Sequence, residues 1–600
     1  MISGGTETVL SLWQLDTGRQ QFLPHMAATI QNLVVSRSGT SYGIQLADNS
    51  AMVLSVAELM PTANMAGIQA CVLKFEDSPD STVWRIEQDL REANLVQRTP
   101  AAISSRDPSH LLLGVGQMQE INHSRPLMTS VPFLQTFDLR SGHSLYRQSL
   151  TRSNVTNKNM APNEHRISEP RVTHMQLSFD GNWLATVDEW TPPKRDMDFI
   201  GHQGMDLEVE RKSRREVYLK FWQWLPKENT WELVSRIDSP HSLDHGVAAG
   251  RILDLVADPS SLLFATIGED GIARTWVTKT RKRDGVVVRG KDGVASKTWN
   301  CQTAISIGKS ELDARNSTHN GCVAFSEDGS LLAAAFDGTN PGLLHLLDHD
   351  SGRIRLSKNG MYEGKIVKIG FLGQDLITLS NKILVYDLVL DEMRYSVKLG
   401  SSVTSLTLEQ KVEMMHLAVD RKGRTFAVAL PGRFDGPAIE DQRKQSLLSQ
   451  YSEVAVFHQD RCEPLLKETF PTLITALIPA VGSDGYLVLD TAAEIRTILK
   501  KGSLPLTALA QSTSALQLDT NDEPSGDLLN LINNAPEEVE DTQLPTPPPN
   551  DDDENETPVV TQQQLSQVFD IGPAFALPPM EEMFYQVAGL FSSRPLAQSV

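Results

Sequence analysis

Two histidines in the stretch SPHSLDHG have the types and the spacing of a metal site. His241 and His245 stand four residues apart and bracket Asp244. On a helix, residues four apart share one face, where two imidazoles can bind zinc. The stretch has no helical pattern and no cysteine or glutamate ligand nearby, so solvated loop histidines are the favoured interpretation. We therefore predict no metal site and no cofactor.

The familiar catalytic motifs are absent from the sequence. It contains no G-x-x-x-x-G-K-[ST] loop, no H-E-x-x-H pair and no G-x-S-x-G elbow, the patterns that cradle phosphates, hold zinc or expose a nucleophilic serine. Gly114-Val115-Gly116 begins like a dinucleotide loop, but no third glycine follows at the required spacing. We predict a protein with no catalytic residues, no enzymatic activity and no small-molecule substrate.

Two clusters of four basic residues lie in polar insertions and could contact phosphates. They are Lys279, Arg281, Lys282 and Arg283, directly after a strand that ends near Trp276, and Arg211, Lys212, Arg214 and Arg215. We name both as candidate RNA or partner contacts, and solvated loop charge is the alternative. The first cluster also has the composition of a weak nuclear-localisation signal.

A repeat that runs through the first 500 residues must position these side chains. In each copy an apolar strand leads through a polar turn to a second strand of small or apolar residues, and a third strand ends in an aromatic or apolar residue. The copies are Ala101–Val115, Met175–Val187, Leu255–Ile267, Cys322–Phe336, Ile366–Leu379, Met415–Leu430 and Leu473–Leu489. Their turns fall near Pro108, Gly181, Ser260, Gly329, Gly373, Gly423 and Asp484, with an earlier one at Gly39.

This order of strands predicts an all-β, WD-type β-propeller rather than a sandwich with regular turns. Seven copies within residues 95–505 suffice for a closed seven-bladed ring, and eight blades are the alternative. Residues 1–90 begin partway through a blade. We therefore expect them to be the terminal blade or blades of a preceding propeller with a linker, unless they join one eight-bladed ring, because a lone blade leaves open strand edges.

The charge of the chain is concentrated at one end. The net charge of the 600 residues is −20, but residues 502–600 carry 16 acidic residues and a single basic one, Arg594, which makes −15. Residues 1–501, with 54 basic and 59 acidic residues, carry only −5. The net charge of −20 therefore does not exclude local RNA contacts on residues 1–501, whose charge is nearly neutral.

Four cysteines without a C-x-x-C pair favour a reducing compartment, and no apolar run is long enough to span a membrane.

The acidic end divides into two segments. Residues 508–566 are rich in proline, glutamine and acids, so we expect a disordered acidic linker. Residues 567–600 form a candidate docking segment, in which apolar residues fall on one face of a short amphipathic helix. These are Met580, Met583, Phe584, Val587 and Phe591. The helix could dock in a groove on a partner or pack on its own propeller, and the sequence leaves both open.

Residues 2–33 carry a family resemblance. The phrase from Ser3-Gly4-Gly5 through Trp13 to Gln21-Phe22-Leu23-Pro24 resembles the junction between the two propellers of a WD-repeat subunit of the UTP-A (t-UTP) complex, and FDIGPAFALPPMEEMF resembles the end of its fungal members. That family belongs to the small-subunit processome. Its members have a whole propeller upstream of this junction, so we expect a truncated gene model or a fragment.

The resemblance implies a nucleolar scaffold without catalytic activity. Such a protein assembles with other UTP-A subunits and processome proteins on the 5′ external transcribed spacer of pre-rRNA, with local pre-rRNA or snoRNA contact. It supports small-subunit rRNA processing and polymerase I transcription. The alternative from the blades alone is a generic WD-repeat adaptor, such as a substrate receptor or a chromatin adaptor. Nucleolar localisation would separate the two.

Overall fold

Strands make up nearly all of the ordered elements. The computed structural model describes residues 2–69, 98–116, 133–152, 169–197, 207–243, 248–308, 319–399, 408–433 and 450–499, with shorter gaps inside several of these ranges. Within them lie one 3-10 helix (Lys194–Met197) and two short α-helices, α1 (Leu207–Ser213) and α2 (Leu408–Glu413). None of these described helices has the length and apolar character needed to cross a bilayer. The all-β prediction is confirmed.

Two antiparallel sheets come first in the chain. One contains β1 (Ile2–Gly4), β2 (Leu10–Gln14) and β3 (Arg19–Phe22), and the other contains β4 (Ile30–Val35), β5 (Ser41–Leu46), β6 (Ser50–Ser55) and β7 (Pro61–Ala66). Leu10, Ile30 and Ile44 share an apolar cluster that joins the two sheets.

Seven further sheets, which we call blades 1 to 7, follow in chain order. Blades 1 and 2 are β8 (Ala101–Ile103), β9 (His110–Val115), β10 (Phe133–Asp138) and β11 (His143–Ser149), then β12 (Arg171–Leu177), β13 (Trp183–Trp190), β14 (Glu216–Leu225) and β15 (Thr230–Asp238). A small hairpin, β16 (Ser242–Leu243) and β17 (Ala248–Ala249), leads to blade 3. Blade 3 is β18 (Ile252–Ala257), β19 (Leu263–Gly268), β20 (Ile272–Thr280) and β23 (Lys297–Ser306), with β21 (Lys282–Arg283) and β22 (Val286–Val287) between its last two strands.

The remaining blades have the same up-and-down order. Blade 4 is β24 (Gly321–Phe325), β25 (Leu332–Phe336), β26 (Leu344–Asp348) and β27 (Arg353–Lys358), and blade 5 is β28 (Lys368–Leu372), β29 (Asp375–Leu379), β30 (Lys382–Asp387) and β31 (Glu392–Lys398). Blade 6 is β32 (His416–Asp420), β33 (Thr425–Arg433), β34 (Gln450–His458) and β35 (Leu466–Phe470). In the described residues blade 7 has three strands, β36 (Ile474–Pro479), β37 (Gly485–Asp490) and β38 (Ile495–Leu499).

The first strands of the blades form the inner wall of a closed ring. β8, β12, β18, β24, β28, β32 and β36 lie side by side in that order, and β36 returns to β8. The Thr99 amide donates to the Thr475 carbonyl at 2.9 Å across this closure. The ring therefore contains seven blades within the described residues, and it encloses a channel with a cavity of about 570 Å³.

Every pair of neighbouring blades buries an apolar cluster between its sheets. Between blades 2 and 3, Trp299 stacks on Phe221 with ring centroids 4.4 Å apart, and it meets Trp183 edge-on at 5.4 Å. Comparable clusters lie at the other six junctions, including the one between blades 7 and 1. Burial of apolar surface contributes roughly 25 cal/mol per Å², so these seven junctions are the main cohesion of the disc.

The repeat turns within the described residues lie where the sequence predicts them, and the turn predicted near Asp484 falls outside those residues. The turns at Gly181, Gly329 and Gly373 join the first and second strands of blades 2, 4 and 5, and all three glycines have positive φ angles, between 61° and 76°. Only glycine adopts this conformation without strain.

Hydrogen bonds to blade 1 hold the segment that follows β7. The buried Gln135 side chain of β10 bonds to the Gln69 amide and the Gly67 carbonyl, both at 2.9 Å.

Two histidines of the inner wall, the buried His416 and the partly exposed His174, make the fold sensitive to acid. Burial lowers the pKa of His416 to about 3 and that of His174 to about 4. An unfolded chain titrates its histidines near pH 6.5, so it takes up protons first as the pH falls, and the free energy of unfolding decreases below pH 6.5. At about pH 5 we expect each histidine to account for a loss of about 2 kcal/mol.

His416→Gln tests this expectation. The glutamine can keep the hydrogen bond that Nε2 of His416 donates to the Ile474 carbonyl at 3.0 Å but cannot be protonated. Urea unfolding at about pH 7 and pH 5 should show a smaller pH-dependent loss for this variant than for the parent chain. The exposed His143→Gln is the control. An identical loss in all three proteins would contradict the assignment.

Candidate RNA and partner interface

His241 belongs to a buried hydrogen-bond chain inside blade 3. Its side chain has no exposed surface, Nδ1 bonds to Asp270 at 2.8 Å, and Nε2 bonds to the Thr266 hydroxyl at 2.9 Å. The same hydroxyl accepts a hydrogen bond from Trp276 Nε1 at 2.9 Å. Burial holds the pKa of His241 below its usual value, although Asp270 acts in the opposite direction. The prediction of a solvated loop histidine is therefore wrong for His241, and both ring nitrogens are occupied by protein groups.

No metal site replaces that interpretation. His245 and Asp244 lie outside the described residues, and among those described no group of three or more histidine, cysteine, aspartate or glutamate side chains is arranged to hold a metal ion. The hydrogen-bond chain instead ties the connector from blade 2 to the second and third strands of blade 3. It thereby fixes the strand from which the first basic cluster emerges.

The first basic cluster lies on an ordered β-ribbon instead of an irregular loop. β20 and β23 remain paired as far as Thr280 and Lys297. Beyond them the Arg281 amide donates to the Ser296 carbonyl at 2.8 Å, and the Arg281 carbonyl accepts from the Val288 amide at 2.9 Å. We call residues 279–297 the basic ribbon. Its backbone bonds hold the cluster in one arrangement at the outer end of blade 3.

The charged groups of the basic ribbon face solvent. Lys279, Arg281, Lys282 and Arg283 are all exposed. Their side chains make no hydrogen bond or ion pair to the residues that the structure describes. Four positive charges within five consecutive residues thus remain available to an anionic partner, which suits a backbone contact to RNA.

The second basic cluster is largely committed to contacts within the fold. Nη1 of Arg215 lies 2.7 Å from Glu269, its Nε lies 3.5 Å from Glu189, and only 8% of its side chain is exposed. Arg214 pairs with Glu210 of α1 at 2.9 Å, and Arg211 Nε donates to the Pro192 carbonyl at 2.9 Å. Arg215 therefore cannot reach an RNA phosphate, because its guanidinium is buried against two carboxylates. Lys212 is exposed at the end of the helix.

The sequence patterns did not predict an exposed apolar tip on blade 5. Val389 and Leu390, in the turn between β30 and β31, are 73% and 64% exposed. One carboxylate oxygen of Asp387 accepts hydrogen bonds from both of their amides at 2.9 Å, which fixes the turn. Its sequence signal is an apolar pair at the position where FDLRSG and LDHDSG carry polar residues.

The candidate docking helix lies outside the described residues, and so do residues 508–566. The predictions for Met580, Met583, Phe584, Val587 and Phe591 therefore remain predictions.

Known proteins resemble this chain over much of its length. It is 24% identical over 509 residues to U3 small nucleolar RNA-associated protein 17 of Schizosaccharomyces pombe, a match that covers 82% of this chain and 52% of that protein. NET1-associated nuclear protein 1 of Saccharomyces cerevisiae is 24% identical over 374 residues (58% and 36%), and WD repeat-containing protein 75 of Xenopus laevis is 24% identical over 341 residues (56% and 31%). The chain thus spans about half the length of the first of these relatives and a third of the others.

No protein-family model matches the chain. Among solved structures, the Cps50 (Swd1) β-propeller domain of Myceliophteria thermophila aligns with a TM-score of 0.39 and 9% identity, covering 67% of this chain and 97% of that domain.

The contrast between neighbouring arginines gives a direct test of the second cluster. Arg215→Met leaves Glu189 and Glu269 partly uncompensated in a buried site, and we expect it to lower the free energy of unfolding by about 3 kcal/mol or more. Arg214→Met removes a half-exposed pair and should cost less than about 1 kcal/mol. Chemical denaturation of both variants measures the difference. Equal costs would show that Arg215 is not held as described.

Proposed function

We propose that this protein is a non-catalytic scaffold of the small-subunit processome, within the UTP-A complex on the 5′ external spacer of pre-rRNA. In that role it supports small-subunit rRNA processing and polymerase I transcription. The similarity to a U3 small nucleolar RNA-associated protein along 82% of the chain is the observation that carries the proposal. The nucleus, and the nucleolus within it, is the compartment in which it works.

The architecture suits this role. A seven-bladed disc is rigid and offers turns and strand edges to several partners at once. The body carries a charge of only −5, so proteins supply most of its contacts, among them other UTP-A subunits. We assign residues 1–90 to the end of a preceding propeller with its linker and residues 95–505 to the ring.

Within this scaffold the basic ribbon is the contact to pre-rRNA or snoRNA. Its four exposed cations can pair with successive phosphates without reading bases, so the contact orients the RNA and carries no sequence preference of its own. Arg211 and the half-exposed Arg214 make at most a minor contribution, because internal partners already hold both arginines. Lys212 adds a single exposed charge.

Removal of the ribbon charges tests the RNA contact. Changing Lys279, Arg281, Lys282 and Arg283 together to alanine should weaken binding of a single-stranded pre-rRNA fragment by tenfold or more at low salt. Each lost phosphate contact should reduce the slope of log affinity against log salt by roughly 0.7. Fluorescence anisotropy over a salt series measures both quantities.

A matched variant separates the ribbon from total charge. The exposed residues Arg140, Lys227, Lys398 and Arg461 lie on blades 1, 2, 5 and 6, and their replacement by alanine removes the same charge. This control should retain most of the affinity. If both quadruple variants lose affinity equally, RNA binds through diffuse charge and the ribbon is not the site.

The apolar end of the chain is proposed to dock on a partner protein. Deletion of residues 569–591 should remove at least one subunit from the affinity-purified complex, because these residues would supply its apolar anchor. Quantitative mass spectrometry of the purified complex, with far-UV circular dichroism of the isolated chain as the folding control, measures this. Retention of every subunit at its original stoichiometry would rule out the docking role.

A further inference from the structure

Three arginines converge where the inner strands begin. Arg98 precedes β8, Arg171 is the first residue of β12, and Arg251 precedes β18. All three line a recess of about 140 Å³ whose walls come from the starts of the inner strands of blades 2 to 5, from Arg98 and from the end of α2. We call this recess the channel mouth.

Positive charge exceeds negative charge in the channel mouth. Its lining contains three guanidinium groups and two carboxylates, those of Glu189 and Glu413. Arg251 lies 3.2 Å from Glu189, and that carboxylate also faces Arg215 behind it at 3.5 Å. Arg98 donates to the carbonyls of Glu413 and Met415 at 3.4 and 2.9 Å, so its bonds go to neutral acceptors. Arg98 and Arg171 therefore both lack a carboxylate as a direct partner among the described residues.

Of these two cations, Arg171 is the one whose donors have no acceptor in the described part of the chain. Its guanidinium makes no hydrogen bond and no ion pair to any residue that the structure describes, although its side chain lines the recess and is only partly exposed. Burial lowers its pKa, an effect opposed by Glu413 and Glu189. A partly buried guanidinium has up to five donors to satisfy, and a carboxylate that enters the recess would accept hydrogen bonds from two of them.

The size of the recess selects the kind of anion. Pockets for drug-sized ligands start at about 300 Å³, so 140 Å³ accommodates one side chain. A phosphate of an RNA strand is flanked by two riboses and cannot enter such a recess, and the two carboxylates of the lining repel a polyanion. A single aspartate or glutamate side chain carries one negative charge, and its two oxygens match the fork of a guanidinium.

We propose that the channel mouth binds the carboxylate of an acidic side chain from a partner protein. Arg171 is its principal contact, and Arg98 and Arg251 contribute the surrounding positive potential. This site lies at the opening of the channel, whereas the basic ribbon lies at the outer end of blade 3, so a protein and an RNA can be held by different parts of one disc.

Ligand-observed NMR on the full chain can test the proposal with defined probes. The probe is a capped nine-residue peptide of alanine, serine and glycine with one central glutamate, and its partner probe has glutamine at that position. We expect saturation transfer to the glutamate peptide with a dissociation constant in the millimolar range or tighter, and binding at least tenfold weaker for the glutamine peptide. Charge-assisted hydrogen bonds typically account for differences of this size.

Variants locate the binding within the disc. Arg171→Gln should weaken the glutamate peptide at least tenfold, Arg171→Lys should give an intermediate loss because it keeps the charge without the fork, and the exposed Arg355→Gln on β27 should have no effect. Thermal unfolding of each variant shows that the ring is intact, and Arg171→Lys alone decides the question if the glutamine variant does not fold. Undiminished binding by the Arg171 variants, equal binding of both peptides, or displacement by an equal concentration of a five-nucleotide RNA would overturn the proposal.

Discussion

A closed ring forces polar groups on its inner strands to find partners across blade boundaries. Asp254 of β18 is the clearest case, because it is only 4% exposed and faces the channel from the middle of the wall. One of its oxygens lies 2.6 Å from Lys368 of β28, and the other accepts the Val323 amide of β24 at 3.1 Å. A single carboxylate thus ties three successive blades together. Loss of one member of such a pair is strongly destabilising, even where the pair itself adds little net stability.

The same constraint determines where function can reside. His174 bonds to the Leu253 carbonyl in the next blade, His416 bonds to Ile474, and Lys220 joins Asp188 to the Leu150 carbonyl. Polar groups used in this way are committed mainly to contacts within the ring. Charged side chains without partners inside the ring are therefore found beyond the paired blade strands, at strand extensions such as the basic ribbon and at the opening of the channel.

The repeat made the ring and its turns predictable, whereas the partners of individual side chains were not. His241 was visible as one of a histidine pair, but its partners Thr266 and Asp270 lie 25 and 29 residues further along the chain. In the sequence, Arg215 is one of four basic residues of an apparent surface cluster. Its partner Glu269, however, is 54 residues away in the neighbouring blade. When the burial of a side chain depends on how two blades pack together, the neighbouring residues in the sequence give no sign of it. An alignment of the repeats could have predicted the channel mouth, because three arginines precede their turns by nine or ten positions. They are Arg98 before Pro108, Arg171 before Gly181 and Arg251 before Ser260.

An acidic protein can still present a strong local site for RNA. Exposed charges separated by more than about 8 Å are largely screened at physiological ionic strength, so an RNA strand at the basic ribbon responds to the four cations there more than to the chain's total of −20. The ribbon continues β20 and β23, the two outer strands of blade 3, and its own backbone hydrogen bonds fix the path of its main chain. Because the ribbon backbone is already ordered, the conformational entropy lost on binding is confined largely to the four side chains. Preorganised charge at an edge of a nearly neutral disc therefore favours a local RNA contact, while the rest of the surface stays open to protein partners.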